Sequence, residues 1–118
     1  MRSGLVALTC SFLLVAQSDI KKNISPDPEH EIVELDNHQV RVLRVRIPPN
    51  GKSVMHPHPD RVTIPLTVQH SRATTSTGAV QERYRKPGQV FWGAANVHMT
   101  ENLSHEPLET LIIEIKPH

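Results

Sequence analysis

Short runs rich in valine and isoleucine, separated by clusters of turn-forming residues, make up most of residues 31–116. Such runs recur about eight times at nearly regular spacing, which is typical of a β-sandwich or a β-barrel. Ten prolines against five glycines also indicate many turns and few long helices. The sequence therefore predicts one all-β domain over residues 31–116, and a chain of 118 residues is long enough to bury a core without disulfides.

The clearest strand signal lies at residues 62–69, where apolar and more polar side chains alternate. A period of two over eight residues predicts a half-buried strand. Pro65 interrupts this run and indicates a sheet edge or a bulge, because proline cannot donate to the ladder. Residues 76–78, Ser-Thr-Gly, predict a hairpin turn between strands at residues 71–75 and 79–85.

The first 18 residues have the features of a signal peptide. Arg2 supplies a short positive start, residues 4–16 are mostly apolar, and residues 16–18 place small side chains where a signal peptidase cleaves. A membrane-spanning helix needs roughly 20 apolar residues, so this run predicts export to the periplasm or beyond, with a buried first helix or strand as the alternative. Residues 19–30 are polar and contain two prolines, which predicts an exposed linker.

Charge and cysteine content exclude several classes of function. A formal net charge of +1 gives no electrostatic reason to expect a nucleic acid or an acidic membrane as a partner. Cys10 is the only cysteine and lies in the predicted signal peptide, so the mature protein would have no disulfide and no thiolate ligand. A metal site would then use imidazole, carboxylate or hydroxyl groups, and the chain has eight histidines.

His56 and His58 are the most informative pair of residues. Side chains two apart in an extended segment point to the same side, and Pro57 and Pro59 exclude a helix here. Two imidazoles on one side suit one metal ion. A solvated pair of histidines on a strand is the commoner outcome for this pattern alone.

A second stretch, residues 88–102, predicts a turn, a strand, a tight turn and then a strand that carries His98. Together the two stretches resemble the cupin family, whose first motif contains Gly, His-x-His, Glu and Gly, and whose second contains Gly, Pro-x-Gly, His and Asn. The matching residues are Gly51, His56 and His58 in the first motif and Gly88, His98 and Asn102 in the second. Ala94 stands in the proline position, and Asn96 stands in the glycine position, where asparagine tolerates left-handed backbone.

The resemblance implies a single-domain cupin-type β-barrel, an antiparallel double-stranded β-helix or jelly roll, over residues 31–116. It also implies one divalent transition metal, such as Fe, Zn, Ni or Mn, on His56, His58 and His98. Cupins commonly pair through strand edges, so a homodimer is expected. The scaffold hosts many functions, so the fold alone does not name a reaction.

The glutamate of the first cupin motif is missing, because its position falls at Val62 or Thr63. Three outcomes follow: a three-histidine site with Thr63 nearby and open positions, replacement of the glutamate by Asp60, or a site that has lost its metal. Of the two side chains, we expect Thr63 to lie nearer the metal, because a bulge at Pro59 would turn it inward. Asp60 is expected to face solvent beside Arg61.

Three neutral ligands would leave the full charge of the ion on its open positions, which favours an anionic substrate. Loss of the carboxylate disfavours Mn relative to Fe, Ni or Zn. Similar three-histidine cupins include iron oxygenases that act on thiols and diketones. The sequence thus predicts either a metal-dependent enzyme acting on a small anionic molecule or a non-catalytic module that binds a metal or a small ligand.

Two further side chains are candidates for the pocket. Arg44 shares a strand face with Arg46, so one of them either enters the barrel to bind a carboxylate or forms an ion pair on the outer face. Phe91 and Trp92 precede the strand of His98, and we expect one in the core and the other at the pocket mouth.

Overall fold

The computed structural model describes residues 25–117, which form strands and turns without any helix. The predicted signal peptide and the first part of the predicted linker lie outside these residues. Within the described part of the chain, no helix is long and apolar enough to cross a membrane. The nine strands in it are β1 (Glu31–Asp36), β2 (Val40–Ile47), β3 (His56–His58), β4 (Arg61–Pro65), β5 (Gln69–Thr75), β6 (Val80–Arg85), β7 (Phe91–Gly93), β8 (Asn96–Asn102) and β9 (Leu108–Ile115).

The strands form two antiparallel sheets, one in the order β1-β2-β9-β4-β7 and the other in the order β3-β8-β5-β6. The first sheet supplies the hydrophobic core, which consists of Leu43, Val45, Ile47, Leu108 and Ile112. The second sheet buries mainly polar side chains, among them Gln69, Ser71, His98 and Asn102. Buried polar groups need partners, so the interior of this all-β fold contains a polar site as well as a core.

The predicted strand at residues 62–69 is two strands. β4 ends at Pro65, the chain bends, and β5 begins at Gln69 in the other sheet. Proline has no N–H to continue the ladder, so Pro65 marks the end of a strand and the crossing between sheets. The predicted hairpin is confirmed, because β5 pairs with β6 and Gly78 has a φ of 90° in the connecting turn.

Residues 25–30 differ from the exposed linker that the sequence predicts. Ser25 and Asp27 are buried. The Asp27 carboxylate lies 3.0 Å from His30 Nδ1, and the amide of Arg46 on β2 donates to the carbonyl of His30. The two prolines of this segment prevent regular structure but not packing, so the folded domain begins before Glu31.

Asn96 also differs from its expected conformation. Among the non-glycine residues described, only Asn50 has a positive φ, at 61°. Asn96 instead starts β8 with extended backbone, and its side-chain Oδ1 accepts a hydrogen bond of 2.8 Å from Arg61 Nη1. The asparagine at this position therefore serves as a side-chain acceptor.

Candidate metal centre

β3 and β8 bring the three predicted histidines together. His56 pairs directly with His98 across the two strands, and His58 lies two residues further along β3 on the same face as His56. Pro57 between them points outward and is exposed. One ring nitrogen from each histidine lies within 4.8 Å of the others, and all three residues are buried.

The hydrogen bonds of His56 and His58 define which ring nitrogens carry protons. Nδ1 of His56 lies 2.6 Å from the carbonyl oxygen of Val54, and Nδ1 of His58 lies 2.7 Å from the Glu114 carboxylate. Both partners are acceptors, so each Nδ1 carries the proton and each neutral ring has a bare Nε2. These two Nε2 atoms are 2.8 Å apart. Two lone pairs at this distance repel unless a cation lies between them, either a proton or a metal ion.

The space enclosed by the histidines has the size and the donors for one ion. A cavity of about 30 Å³ lies between them, and Asp27 and Glu31 also line it. Two buried side-chain atoms within residues 25–117 have no hydrogen-bond partner, Oε1 of Glu31 and Nδ1 of His98. Both belong to this site. Imidazole nitrogens with one carboxylate are a donor set that suits divalent transition metals.

The electrostatics of the site favour neutral imidazole at His98 and an ionised carboxylate at Glu114. Burial is the largest of the causes that together lower the pKa of His98 to about 3, and charges on neighbouring groups such as Arg61 contribute to the same shift. Burial alone would raise the pKa of Glu114, but hydrogen bonds from His58 and Arg41 outweigh that effect and lower it. Arg41 Nε lies 2.8 Å from the other Glu114 oxygen, so this carboxylate is held from both sides.

Solved structures with the same architecture are numerous, although neither a protein-family model nor a curated protein matches the sequence. A cupin domain protein from Bordetella pertussis is 29% identical, with a TM-score of 0.69 over 74% of this chain and 92% of that chain. An RmlC-like cupin with a double-stranded β-helix fold from Methanocaldococcus jannaschii is 16% identical, with a TM-score of 0.57 over 79% of this chain and 86% of that chain.

The chain has the fold of a small single-domain cupin.

A conserved protein with a double-stranded β-helix domain from Klebsiella pneumoniae is similar to this chain at 14% identity, with a TM-score of 0.57 over 81% of this chain and 85% of that chain. At this identity the likeness concerns the fold alone. The predicted cupin architecture is thereby confirmed by two independent features, the antiparallel sheets and the solved structures that share them.

The chain has a carboxylate beside its histidines that the sequence motif did not reveal. Oε2 of Glu31 lies 3.9 Å from Nε2 of His56 and 3.8 Å from Nε2 of His58. Glu31 is buried at the start of β1. The motif places its glutamate after His58, so nothing in the spacing pointed to a residue 27 positions before His58. The only available signal was that Glu31 shares a strand face with the apolar Val33.

Neither candidate for the vacant glutamate position lines the small cavity between the histidines. Asp60 is exposed in a turn, where its Oδ1 accepts a hydrogen bond of 2.8 Å from the amide of Ala95. Thr63 faces the interior, where it lines a larger neighbouring cavity beside Arg61. The chain leaves one sheet after His58 and enters the other at Arg61, so the alternation of side chains starts anew in β4.

The larger cavity has a volume of about 280 Å³, and Trp92 and Phe91 line it. Trp92 is 64% exposed, which places it at the rim. Arg44 does not reach this cavity. Its neighbours Leu43 and Val45 point inward, so Arg44 points outward and pairs with Glu34 on the outer face. Of the two alternatives that the sequence left open for Arg44, the structure shows the ion pair on the outer face. The expectation that Arg44 lines the pocket was wrong.

Proposed function

We propose that this cupin holds one divalent transition metal on His56, His58 and His98. The observation that carries the proposal is the pair of bare Nε2 atoms 2.8 Å apart, since a shared cation removes their repulsion. The unpartnered nitrogen of His98 and the unpartnered oxygen of Glu31 support it. Glu31 would take the place of the missing motif glutamate, either as a fourth ligand or as an acceptor for water at the site.

The surrounding residues prepare the histidines for this role. The Glu114 carboxylate and the Val54 carbonyl each hold one imidazole in the tautomer that leaves Nε2 free. Partners of this kind fix ring orientation and raise the basicity of the ligand. When bound, a metal of this class supplies Lewis-acid chemistry toward an oxygen of a substrate.

We further propose that the ligand or substrate is a small anionic molecule that occupies the larger cavity. That cavity shares Val45, Ile47, Thr100 and Ile112 with the wall of the histidine cavity, so the two spaces adjoin. A volume of about 280 Å³ lies at the small end of ligand pockets. Catalysis on such a molecule is the first function we propose, and a non-catalytic binding module is the second.

Metal analysis of protein purified without a histidine tag tests the site. We expect about one transition-metal ion per chain in the wild type and loss of most of it in His98→Ala, because two imidazoles bind far more weakly than three. His70→Ala is the matched control, since His70 lies on the outer face and pairs with Glu82. Equal metal content in all three proteins would exclude His98 as a ligand.

Assays with the metal-loaded protein separate the enzyme from the binding module. Oxygen consumption and product formation are measured with a panel of small thiols, diketones and organic acids. Turnover that His98→Ala abolishes supports an enzyme. Binding of a panel compound without any turnover supports the non-catalytic binding module. Such a module would still require the metal site.

We also propose export, on the composition of residues 1–18. Mass spectrometry of the protein from fractionated cells gives the mature N-terminus. A chain that begins near residue 19 in the periplasmic or secreted fraction is the expected result, and an intact Met1 in the cytoplasmic fraction contradicts it.

A further inference from the structure

Three arginines from two sheets face the larger cavity. Arg83 and Arg85 alternate on the inner face of β6, while the intervening Tyr84 stacks on His70 on the outer face. Arg61 reaches the same cavity from β4 in the opposite sheet. Arg61 is buried, and Arg83 and Arg85 are half-buried. No acidic side chain appears among the described residues that line this space.

The partners that these arginines do have are neutral. Nη1 of Arg61 donates to the carbonyl of Ala94 at 2.7 Å and to Asn96 at 2.8 Å. The guanidinium of Arg85 lies 4.0 Å from the centre of the Phe91 ring. Within residues 25–117, every ion pair involves other residues. The cavity thus holds three cations and no carboxylate in its described lining. Glu114, opposite Arg61 in the pairing of β4 with β9, and Asp60 act on Arg61 without forming an ion pair with it.

Such a cluster is unfavourable in the protein alone. Burial, and for Arg61 and Arg85 the charge of Arg83, lowers the pKa of each of the three guanidinium groups, that of Arg85 to about 10. All three remain cationic at neutral pH. Like charges that are brought together and partly desolvated repel one another, and an anion that enters between them offsets both costs.

We propose that this cavity binds a small oxyanion with two negative charges, either a phosphate ester or a dicarboxylate. The planar fork of arginine matches both groups with paired hydrogen bonds. Arg83 and Arg85 approach from one sheet and Arg61 from the other, so a doubly charged group between them meets cations on opposite sides. The neutral hydroxyls of Thr63 and Ser71 in the same lining add donors without adding charge.

The anion site stands on the arginines alone, whereas its role as the substrate cavity rests on the proposed metal function. The shared wall of the two cavities would hold an anion anchored at Arg61 next to the histidines. The substrate class of this cupin would then be a small phosphorylated or dicarboxylic molecule.

Calorimetry on chelator-treated wild-type protein tests the site without the metal. The probes are inorganic phosphate, succinate and acetate. We expect phosphate or succinate to bind at least about tenfold more tightly than acetate, since the second charge engages a second guanidinium. Tighter binding of phosphate identifies a phosphate ester as the ligand class, and tighter binding of succinate identifies a dicarboxylate. Equally weak binding of all three probes overturns the proposal.

Two variants locate the binding. Arg83→Gln is expected to weaken binding of the preferred anion by about tenfold or more. Arg85→Gln provides the same test if the first variant fails to fold. Arg44→Gln is the matched control, because Arg44 pairs with Glu34 on the outer face. Equal losses in Arg83→Gln and Arg44→Gln overturn the assignment. The same titration in His98→Ala separates the two hypotheses, because there the metal site is impaired while the anion site is intact.

Discussion

One acceptor beside each ring determines the protonation of His56 and His58. A backbone carbonyl and a carboxylate fix the Nδ1 protons, and the two Nε2 atoms are left facing each other. Glu31 adds the only other charged oxygens within reach of those two nitrogens in the described structure, and one of them has no partner. Removing the charge of Glu31 is therefore the most direct test of the site by a single substitution.

Glu31→Gln is expected to lower metal affinity by roughly 10- to 100-fold, because it removes a negative charge from the site while it keeps the shape of the side chain. Competition with a chromogenic chelator measures this. The metal-free variant should be at least as stable as the metal-free wild type, since a buried charge with an unpartnered oxygen costs free energy.

The matched control for that variant is Glu34→Gln. Glu34 lies on the same strand but pairs with Arg44 at the outer surface. Its replacement should leave metal affinity unchanged. If Glu31→Gln binds metal as tightly as Glu34→Gln, then Glu31 takes no part in holding the ion.

At this scale the sequence predicted the local part of the site and missed the distant part. His56 and His58 lie two apart in one strand, so their shared face followed from the period of an extended chain. His98 followed from the cupin motif. Glu31 and Glu114 come from strands far away in sequence, and long-range pairing of β1 with β2 and of β9 with β2 and β4 sets their places in the fold. No spacing rule encodes that proximity.

At the scale of strands, the crossings between sheets determine which side chains meet. The alternation at residues 62–69 predicted strand structure correctly, but Pro65 divides it between two sheets. β4 lines the larger cavity through Arg61 and Thr63, and the start of β5 lines it through Gln69 from the other sheet. Asn102, which matches the second cupin motif, ends β8, where its side-chain amide donates to the carbonyls of Ile47, Pro48 and Glu106. Strand ends with side-chain caps can be predicted from a motif, whereas a change of sheet depends on the whole topology.

The close approach of β7 to β4 leads to a second prediction. A Cβ at Gly93 would lie 2.9 Å from Nε and 3.0 Å from Cζ of Arg61, which is itself held by Ala94 and Asn96. Gly93→Ala should therefore displace the guanidinium and lower the free energy of unfolding by about 1–3 kcal/mol. Calorimetry should show weaker binding of the anionic probe, and metal content should not change.

Ala94→Ser is the control for that strand, because the side chain of Ala94 is exposed in the same turn. It should leave stability and anion binding as in the wild type. Gly93→Ala protein that is destabilised but binds the anion normally would show that the position of Arg61 does not matter to the cavity.

At the scale of the whole molecule, the two sheets have different roles. The sheet that contains β2 and β9 contributes the apolar core, while the sheet that contains β3 and β8 contributes the histidines. Glu31 and Glu114 reach the histidines from the first sheet, so the site joins the two layers. The homodimer implied by the cupin resemblance stays a prediction, which sedimentation of the purified protein would test.

A site that joins both sheets should couple metal binding to the stability of the entire domain. A metal that binds only the folded state stabilises it by about 2.7 kcal/mol at a free concentration of 100 times Kd. For a domain of this size that corresponds to a rise in Tm of roughly 10–20 °C. Thermal unfolding of chelated and metal-loaded protein measures the rise, which His70→Ala should keep and His98→Ala should lose. Glu31→Gln should show an intermediate rise in Tm at the same metal concentration, because it keeps the histidines of one sheet and loses the charge that the other sheet contributes. An equal rise in Tm in the wild type and in His98→Ala would mean that the stabilising ion binds elsewhere. No rise in the wild type would mean that a proton, not a metal ion, lies between the facing nitrogens of His56 and His58.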